Sequence, residues 1–269
     1  MNMSSQRGTV WWQALTGGAD ALAGYAPSLR VADAALGNEH ARYIAIVPDP
    51  HNPFPRARNG ETGLIEGWSL AKAVREAVEA DREREIRRPI VAVVDTPSHA
   101  YGRNEEAYGI HQALAAAADA YATARLHGHP VIALLVGKAM SGAFLAHGYQ
   151  ANRLIALDDP QVMVHAMGRD AAARITLRSV DELDALAADI PPMAYDIHSY
   201  AALGLLWKLL PVAKPGEPGA DAIASVTDAL REAVADIRND ASRGLESRLR
   251  GPLRAASAEV RTRLRAQWR

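Results

Sequence analysis

Two short stretches carry residue types that could act on an anion. The first, residues 131–149, reads Val-Ile-Ala-Leu-Leu-Val-Gly-Lys-Ala-Met-Ser-Gly-Ala-Phe-Leu-Ala-His-Gly-Tyr. An apolar, partly β-branched run ends at Val136. Small residues follow (Gly137, Ala139, Ser141, Gly142, Ala143), and then apolar positions at helical spacing. This pattern predicts a buried strand, a tight turn and a helix N-terminus. The first turn of a helix has N–H groups without intrahelical partners, and its dipole adds positive potential there. Small residues let an oxygen approach those groups, so the segment predicts an anion or oxyanion site. The second stretch, Asp95-Thr96-Pro97-Ser98-His99-Ala100-Tyr101-Gly102-Arg103-Asn104-Glu105-Glu106, gathers polar and ionisable groups just after a second buried run. It reads either as a substrate-facing loop or as a solvated connection.

Other chemistry competes for the same residues. Ala139-Met140-Ser141-Gly142-Ala143 is also a degenerate nucleophile elbow, with alanine at both glycine positions of Gly-x-Ser-x-Gly. A serine hydrolase would then draw its base from His165 or His198 and its orienting carboxylate from Asp158 or Asp159. The plainer reading of Ser141 is a helix N-cap. His127-x-His129 could place two rings on one side of an extended segment. No His-Glu-x-x-His accompanies it, so no metal site is expected. Glu105-Glu106 could serve acid–base chemistry or simply open a helix, where negative charge is favourable. Gly-x-Gly-x-x-Gly and the phosphate-binding Gly-x-x-x-x-Gly-Lys-Ser/Thr are absent.

The elements that would position these residues alternate. Strands are predicted over 41–47, 90–95, 131–136, 153–157 and 162–166. Helices are predicted over 64–85, 110–125, from Ser141, over 180–189, 193–210 and 221–238, with the charged remainder also helical. Pro48, Pro50, Pro53 and Pro55 make 48–58 an extended loop. Residues 7–35 are mixed in character. Trp11-Trp12 there suits a core edge or a subunit contact better than a membrane anchor. No repeat of 20–50 residues is visible. The alternation predicts an α/β layered fold with mostly parallel pairing, whose ligands gather beyond the carboxyl ends of the strands.

The chain has 269 residues, 49% hydrophobic and 23% charged, enough for a substantial core. A formal net charge of −1 gives no reason to expect nucleic acid or an anionic membrane as partner. Cysteine is absent, which removes disulfides, thiolate nucleophiles and cysteine metal sites and suits a reducing cytoplasm. No apolar run is long enough to span a bilayer, and Met-Asn-Met-Ser-Ser-Gln-Arg-Gly at the start lacks a signal-peptide core.

Val94-Asp95-Thr96-Pro97, then Tyr101-Gly102 and Glu105-Glu106, then Gly137 and Ser141-Gly142-Ala143 together resemble the carboxyltransferase branch of the crotonase superfamily. Ser98 stands where that branch usually has glycine, and Ser141 precedes a single glycine. A wider set of motifs is similar to the gamma-subunit family of biotin-independent malonate decarboxylases. It comprises Arg7-Gly8 with Trp11-Trp12, Leu15-Thr16-Gly17-Gly18, Pro48-Asp49-Pro50, Asn52-Pro53-Phe54-Pro55-Arg56, Gly137-Lys138-Ala139-Met140-Ser141-Gly142 and Pro191-Pro192-Met193-Ala194-Tyr195.

The resemblance implies a crotonase-like (ClpP/crotonase) ββα superhelix of the carboxyltransferase C-domain type. One domain would cover residues 1–269, with 221–269 a helical C-terminal extension. It implies a cytoplasmic complex with a homologous beta subunit, an acyl carrier protein subunit and an acyl carrier transferase subunit. No cofactor would be bound by this chain itself; the phosphopantetheine-type arm of the carrier would enter the site. The implied reaction converts malonyl-S-carrier to acetyl-S-carrier and CO2. Carboxyltransferase relatives on the same scaffold pass the carboxyl group to biotin instead. Loss of CO2 from a malonyl thioester leaves an enolate, and one preorganised donor to its oxygen is commonly worth about 3 kcal/mol. The matching positions are the amides of Gly142 and Ala143 with Ser141 beside them. Ser98, His99, Tyr101, Gly102, Gly137, Met140 and His165 would line the substrate channel.

Overall fold

The computed structural model describes residues 5–241, 244–249 and 251–268. The first residues of the N-terminal run and a few positions of the charged C-terminal segment lie outside that set. In chain order the elements are α1 (Arg7–Leu15), β1 (Leu29–Leu36), β2 (Glu39–Ile46), α2 (Leu64–Ala80), β3 (Ile90–Thr96), α3 (Arg103–Ala107), α4 (Ile110–Leu126), β4 (Val131–Met140), α5 (Ser141–Ala146), β5 (Arg153–Leu157), β6 (Met163–His165), α6 (Arg169–Thr176), α7 (Val180–Asp189), α8 (Ile197–Ala202), β7 (Lys208–Leu210), α9 (Ala220–Asn239) and α10 (Ala255–Gln267).

The sheet runs β1-β2-β3-β4-β5-β7, with β6 pairing the far end of β4. Only β1 and β2 pair antiparallel; the other pairings are parallel. Every residue of β3 is buried, as are all of β4 except Lys138. Strands covered on both faces read as unbroken apolar runs, which is why 90–95 and 131–136 were legible. Helices α2 and α4 pack on each other, and α1 and α9 touch each other and the strands. Trp11 and Trp12 are core residues: their indole N–H groups donate to the carbonyls of Pro215 (2.8 Å) and Tyr43 (3.2 Å).

Several expectations are corrected. Strand β1 lies in the segment read as mixed; its alanines and charges carry little strand signal, and pairing with β2 imposes the conformation. The helix expected over 193–210 is only α8, followed by β7, three residues made a strand by pairing with β5. Residues 169–176 form a helix that was not foreseen, and the 95–106 loop contains the start of α3. Strand β4 continues to Met140, so Gly137 lies within a strand and the turn is confined to Ser141.

The proline-rich loop at 48–58 is tied to α2 by a fully buried carboxylate. Glu66 accepts hydrogen bonds from Asn52 Nδ2 (2.8 Å), Ser28 Oγ (2.5 Å) and the Gly63 N–H (2.9 Å). Those bonds replace the water that an enclosed charge loses.

His147, just past α5, is buried with both nitrogens partnered. Tyr121 Oη donates to Nδ1 at 3.0 Å, and Nε2–H donates to the Val93 carbonyl at 3.1 Å. A proton on Nδ1 would force the Tyr121 hydroxyl to turn from donor to acceptor within the core. Burial pushes the imidazole down to about 4, against about 6.5 for a free histidine. Between those values the unfolded chain binds a proton that the folded chain does not, so stability falls with falling pH in that window. The expected loss from this group between pH 6.5 and 4 is about 3 kcal/mol. Urea titrations at pH 7.5 and 4.5 should show it, with a smaller difference in His147→Gln; an equal difference would contradict the assignment.

Candidate active site

The carboxyl end of β4 is rebuilt around one side chain. Between Val94↔Leu135 and Thr96↔Ala139 the β3–β4 register shifts, so β4 bulges at residues 136–138. Asp95 fills the gap in the ladder. Its Oδ1 accepts the Lys138 N–H and its Oδ2 accepts the Gly8 N–H at the start of α1, both at 3.1 Å. A Cβ on Gly137 would collide with the Asp95 carboxylate, so only glycine fits there. The bulge redirects the strand: residues 132–135 pair with β5, whereas 138–140 pair with β6. Asp95 and Gly137 therefore shape the strand, and with Lys138 they border a separate cleft of about 550 Å³.

Strand β4 gives way to α5 at Ser141, which has φ +62, a left-handed conformation uncommon for a residue with a side chain. Strain of this kind persists only where the surroundings hold it. Ser141 Oγ and His99 Nδ1 lie 2.8 Å apart. No side chain caps α5, so its first N–H groups have no intrahelical partner and no side-chain cap.

His99 sits on the loop after β3. That loop is anchored by Thr62, whose N–H donates to the Ser98 carbonyl (3.1 Å) and whose carbonyl accepts the Ala100 N–H (2.8 Å). Burial holds the His99 imidazole below the ordinary histidine range; Glu106 opposes this and Arg56 adds to it. Tyr101 lies 5.3 Å from the His99 ring and is covered by the Arg56 guanidinium at 3.9 Å. Arg56 is held by Glu61 at 2.5 Å. Ser98 thus serves through its backbone, and Gly102 leaves room for the Glu105 carboxylate that folds back over the start of α3. Glu105 is a first-turn acid rather than a free acid–base group.

Ser141 and Gly142 open onto a largely apolar cleft of about 400 Å³, bordered also by Leu145, His165, Pro192 and Tyr200. His165 stacks on Tyr195 (centroids 4.0 Å apart, planes at 17°), with Nδ1 against the Met167 backbone. Burial, more than the nearby Arg169, keeps His165 below the ordinary histidine range. Of the ten expected site residues, Ser141, Gly142 and His165 border this cleft; Ser98, His99, Tyr101, Gly102, Gly137, Met140 and Ala143 do not. Ala143 is fully enclosed, so of the two residues expected to supply donor amides only Gly142 borders the cleft. Met140 is 5% exposed and precedes the turn. Arg56, Tyr200 and the diproline wall were missed; their proximity is set by long-range packing rather than by local pattern.

The serine-hydrolase histidines are not those expected. His198 pairs with Asp158 at 2.8 Å on the surface, and it is His99 that reaches Ser141. His129 is buried with Nδ1 against the Arg88 carbonyl. Among the described residues no three His, Cys, Asp or Glu side chains gather as a metal ion would require.

Residues 57–268 match the family model described as malonate decarboxylase gamma subunit. The chain belongs to that family. It is 64% identical to a chain of a Pseudomonas malonate decarboxylase hetero-tetramer solved with coenzyme A, with a TM-score of 0.94 over 97% of this chain and 99% of that one. A Pseudomonas MdcD–MdcE hetero-dimer gives 61% identity and a TM-score of 0.91 over 98% and 100% of the two chains. Among characterised proteins, the malonyl-S-ACP:biotin-protein carboxyltransferase of Malonomonas rubra is 33% identical over 84% of this chain and 75% of its own length. A transcarboxylase 12S structure at 22% identity and TM-score 0.62 shares the fold. The crotonase-like carboxyltransferase architecture expected from the motifs is thus present.

If Asp95 shapes the site through Gly137, Gly137→Ala should displace the carboxylate from both backbone N–H groups. The expected cost is about 1–3 kcal/mol, as for overpacking in a core. Chemical denaturation would measure it; a change below about 0.5 kcal/mol would contradict the assignment.

Proposed function

We propose that this chain works with a homologous beta subunit to decarboxylate malonyl-S-acyl carrier protein to acetyl-S-acyl carrier protein and CO2. Its contribution is to hold negative charge at Gly142 and Ser141. The carrier's phosphopantetheine-type arm supplies the thioester and enters along the apolar cleft. Support comes from one observation above all: in a chain of this family, partly buried Ser141 and Gly142 stand side by side at the mouth of an apolar cleft. The Pseudomonas hetero-dimer and hetero-tetramer support the beta subunit as partner, and the coenzyme A complex of the relative supports a pantetheine-bearing ligand.

The chemistry follows from charge. As the carbon–carbon bond to the carboxylate breaks, its electron pair moves into the thioester and an oxyanion develops. An N–H already aimed at that position needs no reorganisation when charge appears, and the surrounding apolar wall strengthens the interaction. Among the described residues no helix is long and apolar enough to cross a membrane.

A second reading has support from the Malonomonas relative: transfer of the carboxyl group to a biotin protein instead of release as CO2. The higher identity and fuller coverage of the Pseudomonas malonate decarboxylase chains favour release.

The test is to purify the chain with its neighbouring subunits and to assay acetyl-thioester formation with and without biotin. Turnover should be independent of biotin. Gly142→Pro, which removes the amide hydrogen, should lower kcat by about 10²–10³-fold. Gly142→Ala keeps the hydrogen, and its Cβ would meet only ordinary contacts, with Leu114 at 3.5 Å and His99 at 3.8 Å; it should stay within about tenfold of the parent. Equal turnover in the proline variant would show that the partner does all the chemistry.

A further inference from the structure

Decarboxylation leaves an enolate one proton short of the acetyl thioester, and that proton must reach the α-carbon inside a cleft with apolar walls. We propose that Ser141 and His99 form the relay that delivers it: the Ser141 hydroxyl protonates the α-carbon while His99 Nδ1–H restores the hydroxyl. The relay rests on the function proposed above.

Geometry singles out this pair. Ser141 borders the cleft next to Gly142, so a bound enolate would have its oxygen near one residue and its carbon near the other. His99 does not border that cleft; it reaches the cleft through Ser141, 2.8 Å away. Ser141 is held there by a left-handed backbone that directs strand into helix. Two other ionisable residues at the cleft are poorer sources. His165 has Nδ1 engaged by the Met167 backbone, and burial raises the Tyr200 hydroxyl far above its usual value. Ser141 would touch the reacting carbon and is the catalytic residue; His99 acts through it.

The step balances. His99 enters as imidazolium, having taken a proton from solvent. The Ser141 O–H bond breaks as the α-carbon C–H bond forms, and the Nδ1–H bond breaks as a new O–H bond forms on Oγ. His99 ends neutral and is reprotonated from solvent. The groups facing His99 set its readiness: Glu106 on α3 favours the cation, Arg56 disfavours it, and the Tyr101 ring lies beside it. Being held below the ordinary histidine range makes the imidazolium a stronger acid toward the enolate.

Microscopic reversibility supplies the test. The same pair, with neutral His99, should remove an α-hydrogen from the acetyl thioester. The assembled complex carrying acetyl-S-carrier is placed in deuterium oxide, and deuterium in the acetyl group is followed by mass spectrometry. Exchange should rise with pH through the titration of His99. His99→Gln should slow it at least tenfold and flatten the pH profile, while KM for malonyl-S-carrier stays within threefold. Should that variant fail to assemble, Ser141→Ala carries the same expectation of lost exchange. His99→Gln exchanging at the parent rate with the parent pH profile would overturn the relay. Failure of the parent complex to decarboxylate malonyl-S-carrier would instead remove the underlying function. Decarboxylation with exchange unaffected by either variant removes the relay alone.

Discussion

The carboxylate of Asp95 is the constraint on which the site depends. It takes the place of a missing strand neighbour for the Lys138 N–H and clamps the start of α1 through Gly8. Without it the β3–β4 ladder would have no partner for the bulged residues, and an enclosed N–H without an acceptor costs about 1–3 kcal/mol. The bulge decides where β4 goes next. The strand leaves β5, pairs with β6 and ends at Ser141. Asp95 thus aims the functional turn from a distance, much as a bulge elsewhere re-aims a single side chain.

At the turn itself the environment does the electrostatic work with few charges. Ser141, Gly142 and two half-buried histidines kept below their usual range face or back an apolar cleft. A preorganised neutral donor suits a reaction that begins with an anionic carboxylate and ends with a transient enolate. It discriminates by position, not by net charge. Glu106 favours the charged imidazole of His99, against burial and the Arg56 guanidinium.

Much of this frame was legible in the chain. Residues 153–157 and 180–189 stand as expected, the first as an apolar run and the second as a helix opened by the Ser179 cap. The strand-to-helix passage at Ser141 was legible from a β-branched run followed by small residues. The bulge was not, because its cause lies 43 positions away in Asp95. For the same reason the Ser141–His99 contact, across 42 positions, was missed in favour of histidines that follow in sequence. Spacing also cannot distinguish an amide that faces a cleft from one behind it: Gly142 and Ala143 are adjacent, yet only Gly142 is open. Strand β7 was lost inside an apolar helical pattern because three residues acquire strand geometry only from β5.

The central claim is that the Gly142 amide receives the oxyanion. Its most direct test is the amide proton resonance of Gly142 in the assembled complex, with this chain glycine-15N labelled, on adding a stable nitronate mimic of the enolate on a pantetheine arm. Gly142 should move strongly downfield, as an N–H does on meeting an anionic oxygen, while Gly17 and Gly216 stay in place. Saturating, inhibitory binding of the mimic with the Gly142 resonance unmoved would contradict the claim.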